Sequence, residues 1–333
     1  MITVVIPLYN KAHTIKNTLN TVLNQTFSEY EIIIVNDGST DDGVKIIKDN
    51  FNDQRIRIIN QNNYGVSVAR DRGIKEAKYN YIALLDADDN WHPDYLSIMQ
   101  EAINKYPNAS LYASGGLIQN ANGSIVYRLA NKYINQILPV RFFENPFLFC
   151  HTSGTIINRR YFNKTDGSPQ GMLCLQDFAL FMQLALVGKF IYIGIPISKY
   201  IGGVKGQTTS VSVAKKFNLL KYVCFLYNFI QTKRNNINVD NTFNIYFKYD
   251  IRNRIKNFMK EQDLRGLDYF INNLSLENLS LFSRLEIILY KKKYITLSIL
   301  WINFTKCIWR MHRFPVIGEK INSKKINPKY RIW

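Results

Sequence analysis

The chain has 333 residues, of which 47% are apolar, and this is typical of a globular protein with one large domain plus an appendage, or with two to three subdomains. No apolar run reaches the roughly 20 residues that span a bilayer, and the N-terminus lacks the basic region of a signal peptide, so we expect an intracellular protein. The net charge of +18 is uneven, because residues 1–110 carry 11 Lys and Arg against 14 Asp and Glu, whereas residues 290–333 carry 11 against one.

Apolar, β-branched runs alternate with segments of helical spacing at the start of the chain. The runs cover residues 2–7, 31–37, 55–60 and 81–86. This alternation predicts βαβ units and an α/β fold with a mainly parallel, Rossmann-like sheet flanked by helices. In such a sheet the ligand site lies beyond the carboxyl ends of the strands.

The rest of the chain divides by composition into two parts. Residues 106–215 are irregular, with a predicted helix and strand over 174–194, and we expect them to complete the sheet and cover the site. Residues 216–333 are rich in Asn, Lys and aromatic residues at helical spacing, which predicts a helical, basic C-terminal region. The predicted boundaries are therefore 1–105, 106–215 and 216–333.

Polar or turn-forming residues lie at or just after the end of each of the four predicted strands. They are Pro7, Tyr9 and Asn10, then Asp37, then Asn63, and finally Asp86, Ala87, Asp88 and Asp89. Because the carboxyl ends of parallel strands meet at one edge of a sheet, we expect these residues to converge on one site.

The Asp-Ala-Asp segment at residues 86–88 predicts a metal site. Side chains alternate along an extended segment, so Asp86 and Asp88 are expected on the same side, and with Asp89 they would repel one another without a cation. Paired carboxylates suit Mn²⁺ or Mg²⁺, whose other ligands are water and substrate phosphates. The alternative is a solvated acidic turn before the next helix.

Two residues at neighbouring strand ends are candidates for binding a nucleotide base. The Asp37 carboxylate is suited to accept a hydrogen bond from a uracil ring nitrogen, and its alternative role is a helix N-cap. Tyr9 offers a ring for base stacking, an interaction of about 1–3 kcal/mol in other base-binding proteins, and its alternative role is core packing.

Two further charged residues lie on predicted helices. Arg70, on a helix that starts after Gly65, is suited to grip a diphosphate bidentately, and its alternative is an ordinary exposed helical arginine. Asp177, in the first turn of a predicted amphipathic helix, is a candidate general base, and its alternative is compensation of the helix dipole.

Other residue types form no recognisable site. The four cysteines lack CxxC spacing and the four histidines lack HxH or HExxH spacing, which argues against a zinc centre and a disulfide framework. We expect structural or surface roles for the histidines, and His151 is the one worth testing. A GxGxxG motif is absent, which argues against a dinucleotide-dependent oxidoreductase.

With these residues in hand, the chain strongly resembles a family 2 glycosyltransferase of the GT-A fold. The matching motifs occur in order over roughly the first 105 residues, and they are "VVIPLYN", "IIIVNDGSTD", "NNYGVSVARDRG" and "YIALLDADD". The segment "LQDFALFMQLAL" is a weaker match near Asp177. The resemblance implies a GT-A domain whose residues 1–105 bind a nucleotide-diphospho-sugar and whose residues 106–215 bind the acceptor, followed by the helical region 216–333.

The resemblance also implies roles for matching residues. Tyr9 and Asp37 would hold the base, Asp86 the ribose, Asp88 the divalent metal and Arg70 the diphosphate region, with Asp177 as the catalytic base. Pro7, Asn10, Asn63, Ala87 and Lys205 complete the expected substrate-binding set. Two departures stand out, since Gln176 replaces a Glu that is frequent in the family, and Lys205 is the only basic residue near "VKGQTTS", where relatives often carry an Arg and a His.

We therefore expect a metal-dependent transferase that moves one sugar, with inversion, from a nucleotide-diphospho-sugar such as a UDP-sugar. The expected acceptor is a hydroxyl of a glycan or polyprenyl-linked acceptor in bacterial surface polysaccharide synthesis. The alternatives are an inactive sugar-nucleotide-binding relative and a basic nucleic-acid-binding protein. The last is disfavoured because the basic residues lie apart from the predicted site and no nucleic-acid-binding motif is present, so we expect no nucleic-acid partner.

The basic tail predicts peripheral association with an anionic membrane. After Lys291, Lys292 and Lys293 comes an apolar segment too short to cross a bilayer, and one helical face would contain Leu297, Leu300, Trp301, Phe304, Ile308 and Trp309. Lys324, Lys325 and Lys329 would add attraction to anionic lipid. We expect a cytoplasmic protein at the inner face of the cell membrane, and the alternative is a helix packed on the catalytic domain.

Overall fold

The computed structural model of the protein describes residues 1–144, 146–172, 174–204, 214–233, 237, 241–274, 282–311, 321–331 and 333. The chain divides into two units. The first contains Met1–Phe142, Pro146–Ser210 and Glu319–Trp333, and the second contains Phe143–Asn145 and Val211–Gly318.

The first four strands are parallel, as predicted. They are β1 (Ile2–Leu8), β2 (Tyr30–Asp37), β3 (Ile56–Gln61) and β4 (Tyr81–Leu84), arranged in the order β3-β2-β1-β4. The intervening helices are α1 (Ile15–Leu23), α2 (Gly43–Asn50) and α3 (Val66–Glu76). Ile and Val dominate β1 and β2 because both faces of a parallel sheet are covered, and these side chains are buried.

The second half of the sheet is mixed. It contains β5 (Asn90–Trp91), β6 (Ala109–Gln119), β7 (Ile125–Arg128), β8 (Ile137–Pro139), β9 (Thr155–Asn158) and β10 (Lys189–Ile201). Strand β9 lies antiparallel between β4 and β6, whereas β10 is parallel to β6. The ten strands of the described residues thus belong to one sheet, whose N-terminal half is entirely parallel and whose second half is mixed.

Four helices accompany these strands: α4 (Tyr95–Lys105), α5 (Pro146–Phe149), α6 (Arg159–Phe162) and α7 (Gln176–Val187). The predicted helix and strand over 174–194 are confirmed as α7 and the start of β10. The expectation that α7 is amphipathic is wrong, because it is buried on nearly every side, including its polar Gln176 and Gln183.

The second unit is helical, as predicted. Its helices are α8 (Ala214–Lys233), α9 (Asn241–Lys260), α10 (Leu264–Leu274), α11 (Arg284–Lys291) and α12 (Ile295–Met311). Buried charges here are paired, since Arg252 Nε lies 2.6 Å from Glu286 Oε1 and Arg254 Nη2 lies 2.9 Å from Asp250 Oδ2. No helix within the described residues combines the length and the hydropathy that crossing a membrane requires.

The C-terminal residues return to the first unit, although the predicted boundaries group them with the helical region. Tyr127 Oη donates to the Arg331 carbonyl at 2.5 Å, and Trp333 Nε1 donates to the Pro196 carbonyl at 2.9 Å. Lys329 forms an ion pair with Asp94. These contacts join residues that are far apart in the sequence, so composition alone does not predict them.

Candidate active site

The ends of β1, β2 and β4 are joined by direct contacts. The Asn10 backbone N–H donates to Ser39 Oγ at 3.2 Å, which links the end of β1 to the turn after β2. Lys11 Nζ lies 2.6 Å from Asp88 Oδ2, which links β1 to the segment after β4. The predicted residues at these strand ends therefore form one continuous edge.

Asp37 is buried and fixes the segment that leads into α3. Its Oδ1 accepts hydrogen bonds from Gln61 Nε2 at 2.7 Å and Tyr64 N at 2.9 Å, and its Oδ2 accepts one from Gly65 N at 2.9 Å. A carboxylate offers about four lone-pair positions, so one position remains for a ligand N–H. The N-cap alternative is wrong, because α2 begins only at Gly43.

The surroundings of this carboxylate include an exposed ring. Tyr9 is 45% exposed, so the core-packing alternative is wrong. Asn10 has φ of 51°, in the left-handed region, and its Oδ1 accepts a hydrogen bond from Thr40 N at 2.8 Å. Gly38 has φ of 70°, and a Cβ there would lie 2.8 Å from the Asn63 nitrogen, so the close approach of these two turns requires glycine.

Two of the predicted residues belong to the backbone framework of the edge. Pro7 lies within β1 opposite Val35 of β2. Ala87 is buried, and its carbonyl accepts a hydrogen bond from Thr18 Oγ1 of α1 at 3.0 Å. These contacts position the segments on which Tyr9 and Asp86 lie.

Arg70 is buried and paired with the first carboxylate of the Asp-Ala-Asp segment, so the exposed-arginine alternative is wrong. Its Nη2 lies 3.0 Å from Asp86 Oδ1, while Nε and Nη1 find no acceptor among the described residues. Unpartnered donors on a buried guanidinium suit an anionic ligand with several oxygens, such as a diphosphate.

Three neighbouring charges affect the pKa of Asp86. Burial raises the pKa of Asp86, Arg70 opposes that rise, and the charges of Asp88 and Asp177 add to it. Asp177 thus lies near enough to act electrostatically on Asp86, although the two are on different halves of the sheet. The second half therefore contributes a carboxylate to the same site.

Asp88 and Lys11 form a close ion pair that the sequence reasoning missed. Lys11 follows Asn10 directly, and a basic residue just beyond a strand end was the available signal. The Asp86 and Asp88 carboxylates are hard oxygen donors, and Mg²⁺ or Mn²⁺ commonly uses one or two carboxylates together with substrate phosphates. No group of three or more His, Cys, Asp or Glu that could hold a metal occurs in the described residues.

Asp89 has a structural position. It is buried, its Oδ2 accepts a hydrogen bond from Ser153 Oγ at 2.5 Å, and its Oδ1 accepts one from Ile201 N at 3.1 Å. Ser153 Oγ in turn accepts from the Asp86 N–H at 3.1 Å. Burial raises the pKa of Asp89 well above its usual range, and the neighbouring carboxylates Asp86 and Asp88 raise it further.

Asp177 lies in the first turn of α7 with both oxygens engaged. Its Oδ2 accepts a hydrogen bond from Thr152 Oγ1 at 2.8 Å, and its Oδ1 accepts one from the Phe178 N–H at 2.8 Å. Arg128, at the end of β7, is close enough for the charge of Asp177 to raise the pKa of its guanidinium, against the larger lowering by burial. Thr152 and Arg128 were both missed by the sequence reasoning.

The segment at 151–155 links the two acidic groups of the site. Thr152 contacts Asp177, whereas the neighbouring Ser153 contacts Asp86 and Asp89. His151 itself is buried, with Nε2 2.7 Å from Ser198 Oγ, and burial together with Arg128 lowers its pKa to about 3. His151 therefore has a buried, structural position, and the contacts with the site carboxylates belong to the residues that follow it.

Gln176 and Lys205 are the two positions at which the sequence departs from the family pattern. Gln176 is buried, and its Oε1 finds no donor within the described part of the chain. Leu175, immediately before it, has φ of 66°, an unfavourable backbone conformation for a branched residue. Lys205 lies outside the described residues.

Comparison with known proteins agrees with this geometry. Residues 3–165 match the family model described as Glycosyl transferase family 2. The uncharacterized glycosyltransferase YibD of Escherichia coli (strain K12) is 42% identical over 106 residues, which is 31% of this chain and 30% of that protein. The hyaluronan synthase of Pasteurella multocida is 27% identical over 221 residues, which is 65% of this chain and 22% of that protein. Each match thus spans less than a third of the relative's length.

The fold extends the likeness to nearly the whole chain. The crystal structure of S. aureus TarS 1–349 in complex with UDP-GlcNAc matches with a TM-score of 0.71 at 17% identity, and the match covers 96% of this chain and 95% of that one. The mixed sheet with its flanking helices therefore has the GT-A fold of that structure. The match of residues 3–165 to the family 2 glycosyltransferase model confirms the resemblance seen in the motifs of this segment.

Proposed function

We propose that the protein moves one sugar, with inversion, from a nucleotide-diphospho-sugar to an acceptor hydroxyl, in a reaction that depends on Mn²⁺ or Mg²⁺. The observation that carries this proposal is the convergence of Arg70, Asp86, Asp88 and Asp177 on one edge of the sheet. Arg70 suits a diphosphate, and Asp86 and Asp88 suit a divalent cation. Asp177 adds a carboxylate that is suited to abstract a proton.

The donor side of the edge is the N-terminal half of the sheet. The free lone-pair position of Asp37 and the exposed ring of Tyr9 suit a uracil base, whose ring N–H donates and whose face stacks. The Nε and Nη1 nitrogens of Arg70, which have no acceptor among the described residues, suit diphosphate oxygens, and Asp86 suits the ribose. The TarS structure carries UDP-GlcNAc, which supports a UDP-sugar as the donor class here.

The acceptor side is the second half of the sheet. Asp177 accepts the proton of the acceptor hydroxyl as its oxygen attacks the anomeric carbon. The bond from that carbon to the diphosphate oxygen breaks on the opposite face, and the electron pair leaves with the nucleoside diphosphate. Because one displacement inverts the configuration, no covalent enzyme intermediate is needed.

The charges of the site favour departure of the diphosphate. Arg70 is held in place by Asp86 and stabilises negative charge on the leaving group. A divalent cation on Asp88, with Asp86 beside it, would add the stronger field that Mn²⁺ or Mg²⁺ supplies to a developing phosphate charge. Lys11 forms an ion pair with Asp88 and compensates the negative charge of that carboxylate.

The names of relatives support a polysaccharide product. Two of them are a hyaluronan synthase and a chondroitin synthase of Pasteurella multocida. We propose that this chain acts in bacterial surface polysaccharide synthesis on a glycan or polyprenyl-linked acceptor, as a cytoplasmic enzyme at the inner face of the membrane. The sequence lacks the Gln-x-x-Arg-Trp signature of processive synthases, which favours transfer of single sugars.

The test is release of nucleoside diphosphate from a panel of sugar nucleotides, measured with and without Mn²⁺. We expect turnover of one UDP-sugar that EDTA abolishes and Mn²⁺ restores. Tight donor binding with no turnover under any condition would favour the inactive sugar-nucleotide-binding alternative. Binding of short nucleic acids but of no sugar nucleotide would favour the basic nucleic-acid-binding alternative.

Thr152 is expected to position Asp177. Thr152→Val removes the hydroxyl that donates to Asp177 Oδ2 while keeping the branched shape, so the carboxylate loses one of its two fixed contacts. We expect kcat to fall by about tenfold, since positioning contacts contribute about 1–2 kcal/mol, while the KM for the donor stays unchanged.

The matched control is Thr152→Ser, which keeps the hydroxyl and should retain most of the activity. Equal losses in both variants would mean that Thr152 packs rather than positions. A rise in donor KM without a fall in kcat would place its effect on the donor side of the site.

A further inference from the structure

Helices α11 and α12 of the second unit expose an unusual density of large apolar side chains. Twelve large apolar residues are exposed among the described residues, and six of them lie on these two helices. They are Leu285, Ile288, Leu297, Leu300, Trp301 and Phe304, which we call the apolar surface. A groove of about 370 Å³ runs between the helices and is lined by five of these side chains. A contiguous patch of this kind marks an interaction site.

The spacing along α12 shows that this surface is one face of the helix. Leu297, Leu300, Trp301 and Phe304 follow the i, i+3, i+4, i+7 pattern, and all are more than a third exposed. Ser298 and Ile302, on another face, are buried within the unit. The helix therefore packs through one side and presents a second apolar side to solvent.

Positive charge borders the apolar surface. Arg284, Lys291 and Lys292 are exposed on or just after α11. Lys306 of α12 is not part of this border, because it continues the i, i+4, i+8 row of Ser298 and Ile302 on the side that packs within the unit, near Lys256 of α9. The cationic border therefore lies along α11.

Acidic side chains do not offset this charge on the two helices. Glu286 is their single acidic residue, and it is buried and paired with Arg252. Lys293 pairs with Asp268 of α10 at 2.7 Å and is not counted in the cationic border. The exposed side of α11 and α12 therefore combines apolar and cationic groups.

We propose that the apolar surface docks on an anionic lipid bilayer, an inference that rests on the membrane-linked acceptor of the proposed function. Leu, Ile, Phe and Trp side chains enter the boundary between headgroups and acyl chains, and the lysines meet the anionic headgroups. Trp301, whose ring is partly exposed beside Phe304, suits the interface because an indole is apolar with one polar N–H.

The charge pattern favours lipid over a second copy of the chain. A symmetric dimer through this surface would bring two copies of the cationic border to one interface, where α11 and α12 expose no acidic side chain to pair with them, and like charges would repel. An anionic bilayer instead complements both features at once.

The structure revises the membrane surface expected from the sequence. Leu285 and Ile288 of α11 join the surface, although the sequence pointed only to the later helix. Lys324 and Lys325 belong to the first unit, and so does Lys329, which pairs with Asp94. The side chains of Ile308 and Trp309 lie outside the described residues.

The test is co-sedimentation of the full-length protein with phosphatidylcholine vesicles, with and without phosphatidylglycerol. We expect pelleting only with the anionic vesicles, weakened by salt. Leu300→Glu combined with Trp301→Glu should lower the partition coefficient by about tenfold or more, because two charges are forced into the interface. Circular dichroism and gel filtration establish that the variant is folded.

The matched control is Val126→Glu, which puts a charge on an apolar residue of similar exposure in the first unit. It should bind anionic vesicles like the wild type. Equal loss in both variants, or wild-type protein that stays in the supernatant with both vesicle types, overturns the proposal. A wild-type dimer that Leu300→Glu with Trp301→Glu converts to monomer, without vesicle binding, would identify a second copy as the occupant.

Sugar-nucleotide turnover in the same preparations separates this inference from the proposed function. Turnover in solution without vesicle binding would overturn the membrane surface alone. Vesicle binding by a protein that turns over no sugar nucleotide would leave the surface intact and overturn the proposed function.

Discussion

Asp177→Asn is expected to lower sugar transfer by a factor of about 10² to 10⁴, while donor binding stays near that of the wild type. The amide keeps the shape of the side chain, and its oxygen still accepts the hydrogen bond from either Thr152 or the Phe178 N–H. It cannot take the proton of the acceptor hydroxyl. Single-turnover transfer and calorimetric donor binding, measured on the same protein, separate the two effects.

The control for Asp177→Asn is Asp42→Asn, which makes the same chemical change at an exposed residue of the first unit. Asp42 precedes α2 and its side chain makes no cap hydrogen bond, so activity and stability should be unchanged. If Asp177→Asn lost donor binding and rate in equal measure, Asp177 would be a structural residue of the donor site and not the base.

The sequence predicted which residues gather at the edge of the parallel strands, because this edge follows from the regular geometry of a parallel sheet. Parallel strands bring their carboxyl ends together whatever their side chains, so the short polar segments after β1, β2 and β4 had to meet. Asp37, Tyr9 and Asp86 were found this way, before any contact was known. Their roles in binding a nucleotide stay predictions.

The partners of these residues could not be predicted in the same way. Lys11 pairs with Asp88 across 77 positions, and Thr152 contacts Asp177 across 25. Such pairs depend on side-chain rotamers and on the position of β9, which lies antiparallel between β4 and β6. No local sequence pattern predicts that position. His151 drew attention as a histidine, yet Thr152 and Ser153 beside it make the contacts with the acidic site.

Helix α12 illustrates the same limit for surfaces. The sequence predicted the apolar periodicity of α12. Periodicity alone does not determine which apolar face packs against the protein and which face is exposed to solvent. The exposed Leu285 and Ile288 lie on a separate helix, so only the packing of α11 beside α12 brings them into one surface.

Asp88→Asn is expected to abolish metal-dependent donor turnover while the fold stays intact. An amide keeps the shape of the carboxylate but loses the charge that attracts a divalent cation, and Lys11 would then face the site without its 2.6 Å ion-pair partner. Both changes disfavour a cation there. Binding of Mn²⁺ followed by electron paramagnetic resonance gives a readout that does not depend on activity, and thermal unfolding reports on the fold.

Asp86→Asn is the informative comparison, and it should reduce turnover less. Asp86 pairs with Arg70, which is 2% exposed and already has two nitrogens without acceptors among the described residues. Neutralising Asp86 leaves a buried guanidinium without its counter-charge, so this variant should lose more thermal stability than Asp88→Asn. The two substitutions thus separate cation binding from structural charge pairing. Near wild-type turnover of Asp88→Asn at low Mn²⁺, or unchanged Mn²⁺ binding, would mean that Asp88 does not hold the metal.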